Sequence, residues 1–485
     1  MNPRPPVVPL LLLIGLLSCS SPPPEQLQKK PNFIIVFADD QGYGDLGVFG
    51  ASDFKTPRID QLAREGIRFT DFYAQPVCGP SRTALLTGSY PIRVGEYGNE
   101  KNSFPYVHEK EILLPRILQQ AGYATGMIGK VDITQRRRGF KPELNPVRRG
   151  FDHWFGVVGA NDDGQVHWVY RNEEMIEETA GVDDLTRRYT DEALAFVRKN
   201  KDQPFFLYIA HTMAHVVLGA TEPFLGRSER GLYGDVIEEL DAGTGEIVDL
   251  LKELNLEQDT IVVYTSDNGP WSNHSAPKYT ADIEAHAGSA GPLRGAKGTT
   301  WEGGIRVPCV MWGGGIRAGV VTVEIATTMD LLPTFIRMAG AELPSDLTLD
   351  GRDITPLMLG EPGAKSPHEA FYYYRETHLD AVRSRRWKLV FPRPGRAESE
   401  WLHARGGAFV GEILEPVTEL ALYNLEADIG EQRNVAALHP EIVERLTVLA
   451  DKARAELGDY DRIGSGVRFF EDGPKWPRRQ EWITQ

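Results

Sequence analysis

Unbroken runs of apolar, largely β-branched or aromatic residues at 32–38, 124–128, 205–210, 260–265 and 307–312 alternate along the chain with a second pattern. In that pattern apolar positions recur every three to four residues, at 56–65, 113–121, 185–200 and 233–254. The first predicts strands buried on both faces, since neither side of the pleat is polar; the second predicts amphipathic helices. Strand alternating with helix makes a mostly parallel sheet covered on both faces, an α/β fold. Sites in such sheets gather beyond the carboxyl ends of the strands. Past about residue 360 the texture changes. Residues 369–375, 380–385 and 387–391 read as short antiparallel strands and 440–457 as a closing helix, so a smaller α+β unit is expected there. The sequence contains no internal repeat.

The N-terminus follows neither pattern. Arg4 precedes an apolar core from Val7 to Leu17, closed by Ser18, Cys19 and Ser20, the layout of an export signal over residues 1–19. Leu16-Leu17-Ser18-Cys19 resembles a bacterial lipobox, which implies a lipid-anchored Cys19 and a periplasmic or cell-envelope lipoprotein of a bacterium; cleavage near Ser20 with Cys19 incidental is the alternative. Residues 20–30 are a polar, proline-rich spacer suited to an extended tether. No other apolar stretch approaches the ~20 residues of a membrane span.

Size and charge narrow the field further. A chain of 485 residues implies two or three domains, and 41% hydrophobic residues can bury a large core. A net charge of −15 argues against a nucleic-acid partner, which would want a basic stripe, but leaves room for an anionic substrate in a locally positive pocket.

The chemistry concentrates in Cys78-Gly79-Pro80-Ser81-Arg82, which runs on into Leu85-Leu86-Thr87-Gly88. Proline suits the first turn of a helix and disfavours helix at the residue before it, so the sequence predicts a helix opening near Pro80 with Cys78 just outside it. A helix N-terminus attracts an oxyanion, and Arg82 adds a planar five-donor fork. Asp39-Asp40 follow the apolar run 32–38, and Asp267-Asn268-Gly269 follow 260–265. Two carboxylates, a third and an amide at strand ends make an oxygen-rich cluster that suits a hard divalent cation, Ca²⁺ rather than Zn²⁺.

The C-x-P-S-R spacing with its following L-L-T-G, the Asp39-Asp40 and Asp267-Asn268-Gly269 strand ends, Gly129-Lys130, the histidine of Ala210-His211-Thr212-Met213-Ala214-His215 and the lysine of Gly295-Ala296-Lys297-Gly298 together resemble the formylglycine-dependent sulfatases, nearest to the arylsulfatase A-like branch. Most of the chain is covered, in the family's order. The resemblance implies an alkaline phosphatase-like fold and hydrolysis of sulfate monoesters, on a sulfated glycan or aryl sulfate. It implies that a maturation enzyme oxidises Cys78 to formylglycine, whose gem-diol is the nucleophile, and that Asp39, Asp40, Asp267, Asn268 and the converted Cys78 hold Ca²⁺. Arg82 would stabilise the diol, Lys130 and Lys297 would clamp sulfate oxygens, and His215 would stand near the leaving oxygen. With Cys19 lipidated and Cys78 converted, Cys309 would be left alone and no intramolecular disulfide could form.

One position departs from the family. The usual G-K-W-H-L-G reads Gly129-Lys130-Val131-Asp132-Ile133-Thr134 here, placing Asp132 where a histidine helps release sulfate. A carboxylate accepts a proton but, when ionised, repels a sulfate. Two rival readings follow: a phosphonate or phosphate-diester hydrolase of the same superfamily, and a non-catalytic binder of sulfated glycan. The expected organisation is a catalytic domain over residues 31–360 and a C-terminal α+β subdomain over 361–485.

Overall fold

A computed structural model of the chain describes Met1 and residues 30–97, 105–133, 142–161, 168–271, 287–345, 347–393 and 417–468. Residues 2–29, which hold nearly all of the export signal and spacer together with Cys19, lie outside the described residues.

The large sheet has eleven strands: β1 (Asn32–Ala38), β2 (Ile67–Tyr73), β3 (Ala124–Gly129), β4 (His153–Gly156), β5 (Val169–Arg171), β6 (Glu174–Glu177), β7 (Phe205–Ala210), β8 (Thr260–Ser266), β9 (Arg306–Gly313), β10 (Val320–Thr322) and β11 (Ala326–Thr327). Their order across the sheet is β10-β2-β9-β8-β1-β7-β3-β4-β5-β6, with β11 also on β2. The centre, β8-β1-β7-β3-β4, is parallel. Successive side chains of β1 point to opposite faces and serve two cores. Phe33, Ile35 and Phe37 pack with helix α2 (Cys78–Thr87) and helix α3 (Leu114–Gln120). Ile34 and Val36 pack with helices α1 (Pro57–Glu65), α4 (Leu185–Asn200) and α5 (Leu232–Glu253). The mostly parallel sheet sandwiched by helices is the expected fold class.

Two details differ from the sequence reading. The strand at 306–313 runs antiparallel to β8, and β2, which the apolar-run pattern did not flag, lies antiparallel on its other side. β2 carries half-buried Arg68 and Thr70 because it lies next to the edge, where one face is only partly covered, and its buried Asp71 pairs with Arg306 and Arg383 at 3.0 and 2.5 Å. Helix α2 opens at Cys78, with Val77 as its N-cap, so Cys78 sits inside the first turn rather than outside. Gly79 explains the shift: lacking Cβ, it escapes much of the clash that bars helix before proline.

The C-terminal unit is a separate antiparallel sheet, β12 (Phe371–Arg375), β13 (His378–Ser384), β14 (Trp387–Val390) and β15 (Ala421–Asn424), in that order, with helix α6 (Pro440–Glu456) packed against it. It joins the large unit through a shared core that includes Tyr73, Tyr90, Trp301 and Ile305. A buried polar network adds to that junction. Lys388 Nζ lies 3.0 Å from Glu302 Oε1 and 2.7 Å from Glu431 Oε1, and Tyr73 and Tyr373 donate to Glu302 at 2.6 and 2.7 Å.

Candidate active site

Consecutive strand residues normally face opposite sides of a sheet. Asp39 and Asp40 reach one site because β1 has ended at Ala38 and Asp40 takes a left-handed backbone, φ +60°, which aspartate tolerates better than most residues. β8 runs parallel beside β1 with Ala38 opposite Ser266, and the Asp267 amide donates to Ala38 O at 3.1 Å. The two strand ends therefore deliver Asp39, Asp40, Asp267 and Asn268 side by side, all completely buried.

Cys78 comes in from the first turn of α2. Its Sγ lies 3.2 Å from Asp39 Oδ1, 3.7 Å from Asp40 Oδ1 and 3.2 Å from Lys297 Nζ. Burial, and then the charges of Asp267 and Asp39, push the Cys78 thiol well up, so as a plain cysteine it is a poor nucleophile.

Three cations interleave with the carboxylates. Arg82 donates to Asp267 Oδ2 at 2.9 Å and to Lys130 O at 3.2 Å, and stands 3.6 Å from Asp39. Lys130 Nζ reaches Asp39 Oδ2 at 2.6 Å, and Lys297 Nζ lies 2.7 Å from the Asp40 carboxylate. Burial works against the charge on both lysines, but Asp132 and Asp39 around Lys130, and Asp40 beside Lys297, outweigh it and raise both. Gly129 makes the turn into Lys130 with φ +102°, and a Cβ there would meet Ala210 O at 1.9 Å, so only glycine fits.

The donor set suits a hard cation. Ligand atoms of Asp39, Asp40, Cys78 and Asp267 all lie within 4.8 Å of one another, and Asn268 Oδ1 is buried without a hydrogen-bond partner. Arg82, Lys130 and Lys297 face the four carboxylates of Asp39, Asp40, Asp132 and Asp267, a net negative site that would repel a sulfate. A divalent ion among the oxygens reverses that sign, and the predominance of carboxylate and amide oxygens favours Ca²⁺ or Mg²⁺ over Zn²⁺. The strain of crowding shows in the carboxylates. Burial, then Asp39, raises Asp267 to about 7, whereas Lys130 and Arg82 overcome burial at Asp39 and hold it well below the usual range.

The remaining residues flank this cluster. His215, almost fully buried, places Nε2 3.6 Å from Asp40 Oδ2. His211 points elsewhere: burial, then Arg82, draw it down to about 3, so it is a neutral core residue. Asp132 is buried with Oδ2 3.1 Å from Lys130 Nζ, so its carboxylate does enter the site. Asn161 was not legible in the sequence. Its Nδ2 donates to the carbonyls of Thr212, His215 and Val217 at 3.2, 3.1 and 3.0 Å, holding the loop that presents His215. No motif marks it, because its partners are backbone atoms of a segment remote in sequence.

The Sulfatase family model matches residues 31–341, and that of the C-terminal region of aryl-sulfatase matches residues 366–471. N-acetylgalactosamine-6-sulfatase of Rattus norvegicus is 39% identical over 404 residues, 78% of this chain and 73% of the relative. Arylsulfatase A of Homo sapiens is 35% identical over 463 residues, 87% of each. Among solved structures, the PsFucS1 sulfatase from Pseudoalteromonas sp. superposes with a TM-score of 0.76 at 28% identity, covering 88% of this chain and 90% of that one.

Proposed function

Because the chain belongs to the sulfatase family and hydrolyses sulfate esters, we propose that its substrate is a sulfated carbohydrate, that Cys78 is the precursor of its formylglycine, and that Asp39, Asp40, Asp267 and Asn268 hold Ca²⁺. Formylglycine would supply, as its hydrate, the oxygen that attacks sulfur, and Ca²⁺ would supply positive charge toward the sulfate oxygens. The protein's own groups do the rest. Lys130 and Lys297 hold fixed positive charge where sulfate oxygens gather negative charge in the transition state, at no cost of reorganisation. Arg82 locks Asp267 in place and keeps a cation against the site's carboxylates. His215, held by Asn161 and facing Asp40, is placed to give a proton to the departing alcohol oxygen. Asp132, on the far side of Lys130, is the remaining group able to accept a proton.

The observation that carries this reading is the position of Cys78, within 3.2 Å of both Asp39 Oδ1 and Lys297 Nζ. A thiol serving only as core would not be surrounded by charge. A rat relative named N-acetylgalactosamine-6-sulfatase supports a sulfated sugar, and the arylsulfatase A relative leaves an aryl sulfate as the second substrate class. Neither the phosphonate or phosphate-diester alternative nor the non-catalytic binder is favoured. For the chain's address we propose export through residues 1–19 and a lipid anchor at Cys19; among the described residues no helix is long and apolar enough to cross a membrane.

The test uses protein co-expressed with a formylglycine-generating enzyme. Peptide mass spectrometry should find residue 78 lighter than cysteine by its conversion to an aldehyde, and Cys78→Ala should abolish turnover on sulfated sugars with the fold intact. Active enzyme with wholly unmodified Cys78 refutes the mechanism.

A further inference from the structure

We propose that Arg375 and Arg393, at one end of the C-terminal sheet, form an anion-binding subsite for a sulfate or carboxylate on the sugar adjoining the one whose sulfate is removed. The proposal rests on the carbohydrate reading above.

Arg375 ends β12, the hairpin turn Glu376-Thr377 follows, Asp380 lies on β13, and Arg393 follows β14. These positions share one end of the sheet. Asp380, 1% exposed on its side chain, stands between the two guanidinium groups, with Oδ2 3.6 Å from Arg375 Nε and 3.6 Å from Arg393 Nη1. Both distances exceed a good charge-assisted hydrogen bond, which runs to about 2.9 Å. The same Oδ2 already accepts Thr300 Oγ1 at 2.9 Å. Among the described residues, the buried polar atoms here with no hydrogen-bond partner include Arg393 Nη1, Asp380 Oδ1 and Thr377 Oγ1. The other nearby carboxylates are engaged: Asp459 accepts Arg454 Nε at 2.8 Å, and Glu376 has its own partner.

Two buried cations sharing one carboxylate are short of negative charge. Burial draws Arg375 down, Asp380 opposes it and Arg393 adds to the fall, leaving it at about 10. A buried polar group without a partner costs free energy, and several together in a native fold mark a place where a ligand completes the set. The chemistry of that ligand follows from the inventory. Two planar guanidinium forks and a hydroxyl suit an oxyanion, whereas Asp380 Oδ1 is free to accept a sugar hydroxyl.

Location ties the cluster to the active site. Thr300, which bonds Asp380, belongs to the loop that delivers Lys297, and three residues of chain span at most about 11 Å. The Arg393 guanidinium also lies over the Trp301 ring, 5.3 Å from its centroid. Lys297 and the arginine pair are thus joined through one short loop, 298–301, whose residues 299–301 are themselves buried.

The experiment compares wild type with Arg375→Gln, Arg393→Gln and the double variant. The substrates are an aryl sulfate, a disaccharide with one sulfate and no other charge, one with a uronate beside the sulfated sugar, and one sulfated on both sugars. We expect kcat/KM on a doubly anionic disaccharide to fall at least about tenfold per arginine, mainly through KM. The aryl sulfate and the singly charged disaccharide should change less than about twofold. Loss on the disulfated substrate alone assigns a sulfate, and loss on the uronate alone assigns a carboxylate. A purely structural pair would lower the melting temperature and all activities together, the aryl sulfate included, which overturns the subsite.

Binding of the same disaccharides to Cys78→Ala protein, with and without the arginine changes, is read by calorimetry and needs no turnover. Equal affinity across variants overturns the subsite whatever the kinetics show. Wild type that cleaves the aryl sulfate yet neither binds nor cleaves any disaccharide overturns both the subsite and the carbohydrate substrate, while leaving sulfate-ester hydrolysis standing. Selective binding without turnover keeps the subsite and refutes only the proposed chemistry at Cys78.

Discussion

Asp132→Asn removes one negative charge from a buried site and keeps almost the same shape, so it separates two roles that the wild-type carboxylate combines. Asp132 Oδ2 lies 3.1 Å from Lys130 Nζ, which also holds Asp39 at 2.6 Å. At an effective dielectric of about 20, a pair of unit charges 3.1 Å apart attracts by a ceiling of roughly 5 kcal/mol. Most of that attraction is offset by desolvation. Lys130 retains Asp39, and asparagine still offers an oxygen, so the net loss should be that of a hydrogen bond to a charged group, about 1.5–3 kcal/mol. For a chain of this length that corresponds to a melting shift of roughly 1 °C per kcal/mol. The kinetic effect discriminates. If Asp132 accepts the proton that frees sulfate after the first step, its loss should slow steady turnover by about 10²–10⁴-fold, the usual worth of a general base. The released alcohol would then appear as a burst followed by a slow phase. Asp132→His should restore or raise the steady rate if the imidazole reaches the same proton. If Asp132 is only a counter-ion, turnover should stay within about threefold while inorganic sulfate inhibits more strongly, because three cations then face three carboxylates. Stopped-flow release of an aryl alcohol, with a melt on the same samples, reads both. A lowered melting temperature with unchanged burst and steady rates refutes the base role.

Other predictions follow from the same geometry. Strong chelator should lower both activity and melting temperature, since a ligand bound only by the native state at a hundred times its Kd stabilises by about 2.7 kcal/mol; insensitivity of both would contradict the cation site. Lys388→Met leaves Glu302 and Glu431 facing each other in the core without their shared cation, and should cost about 3–5 kcal/mol in a denaturant titration. Adding Glu431→Gln should recover part of that loss if the charge, rather than the lysine stem, is responsible. His368 Nε2 lies 2.8 Å from buried Asp330 Oδ1; burial lowers the histidine's pKa, but Asp330 outweighs it and raises it. A histidine raised on folding stabilises fully below its unfolded value of about 6.5 and loses that contribution as pH rises through the folded value. Wild type should therefore lose more melting temperature between pH 6 and pH 9 than His368→Gln, and parallel profiles would exclude the pair as the cause.

The parallel centre of the sheet was legible because burial on both faces leaves no polar position to disguise a strand. β1, β7 and helix α4 occupy the residues their pattern predicts. The antiparallel β2 escaped because a strand with a partly exposed face has a mixed pattern, and because the direction of a strand leaves no trace in its own residues. The onset of α2 moved by two residues because glycine relaxes the restriction that proline places on its predecessor.

The site divides along a similar line. Asp39, Asp40, Cys78, Lys130, His215, Asp267, Asn268 and Lys297 were all named from the sequence, and the fold brings them together, because each lies in a short local motif at a strand end, at a helix start or, for Lys297, in a glycine-rich loop. What the sequence could not supply is how these charges are held once assembled. Asn161 holds the His215 loop through backbone carbonyls, and Lys388 steadies the Lys297 loop by donating to Thr300 O at 2.9 Å from a strand of the other sheet. A backbone carbonyl accepts a hydrogen bond whatever side chain it belongs to, so such a contact constrains only one of its two residues and leaves no spacing to read. The arginine pair at the end of the C-terminal sheet is a further case. Its residues are unremarkable as letters, and only their convergence on one carboxylate in the folded chain reveals a surplus of charge that calls for an anion.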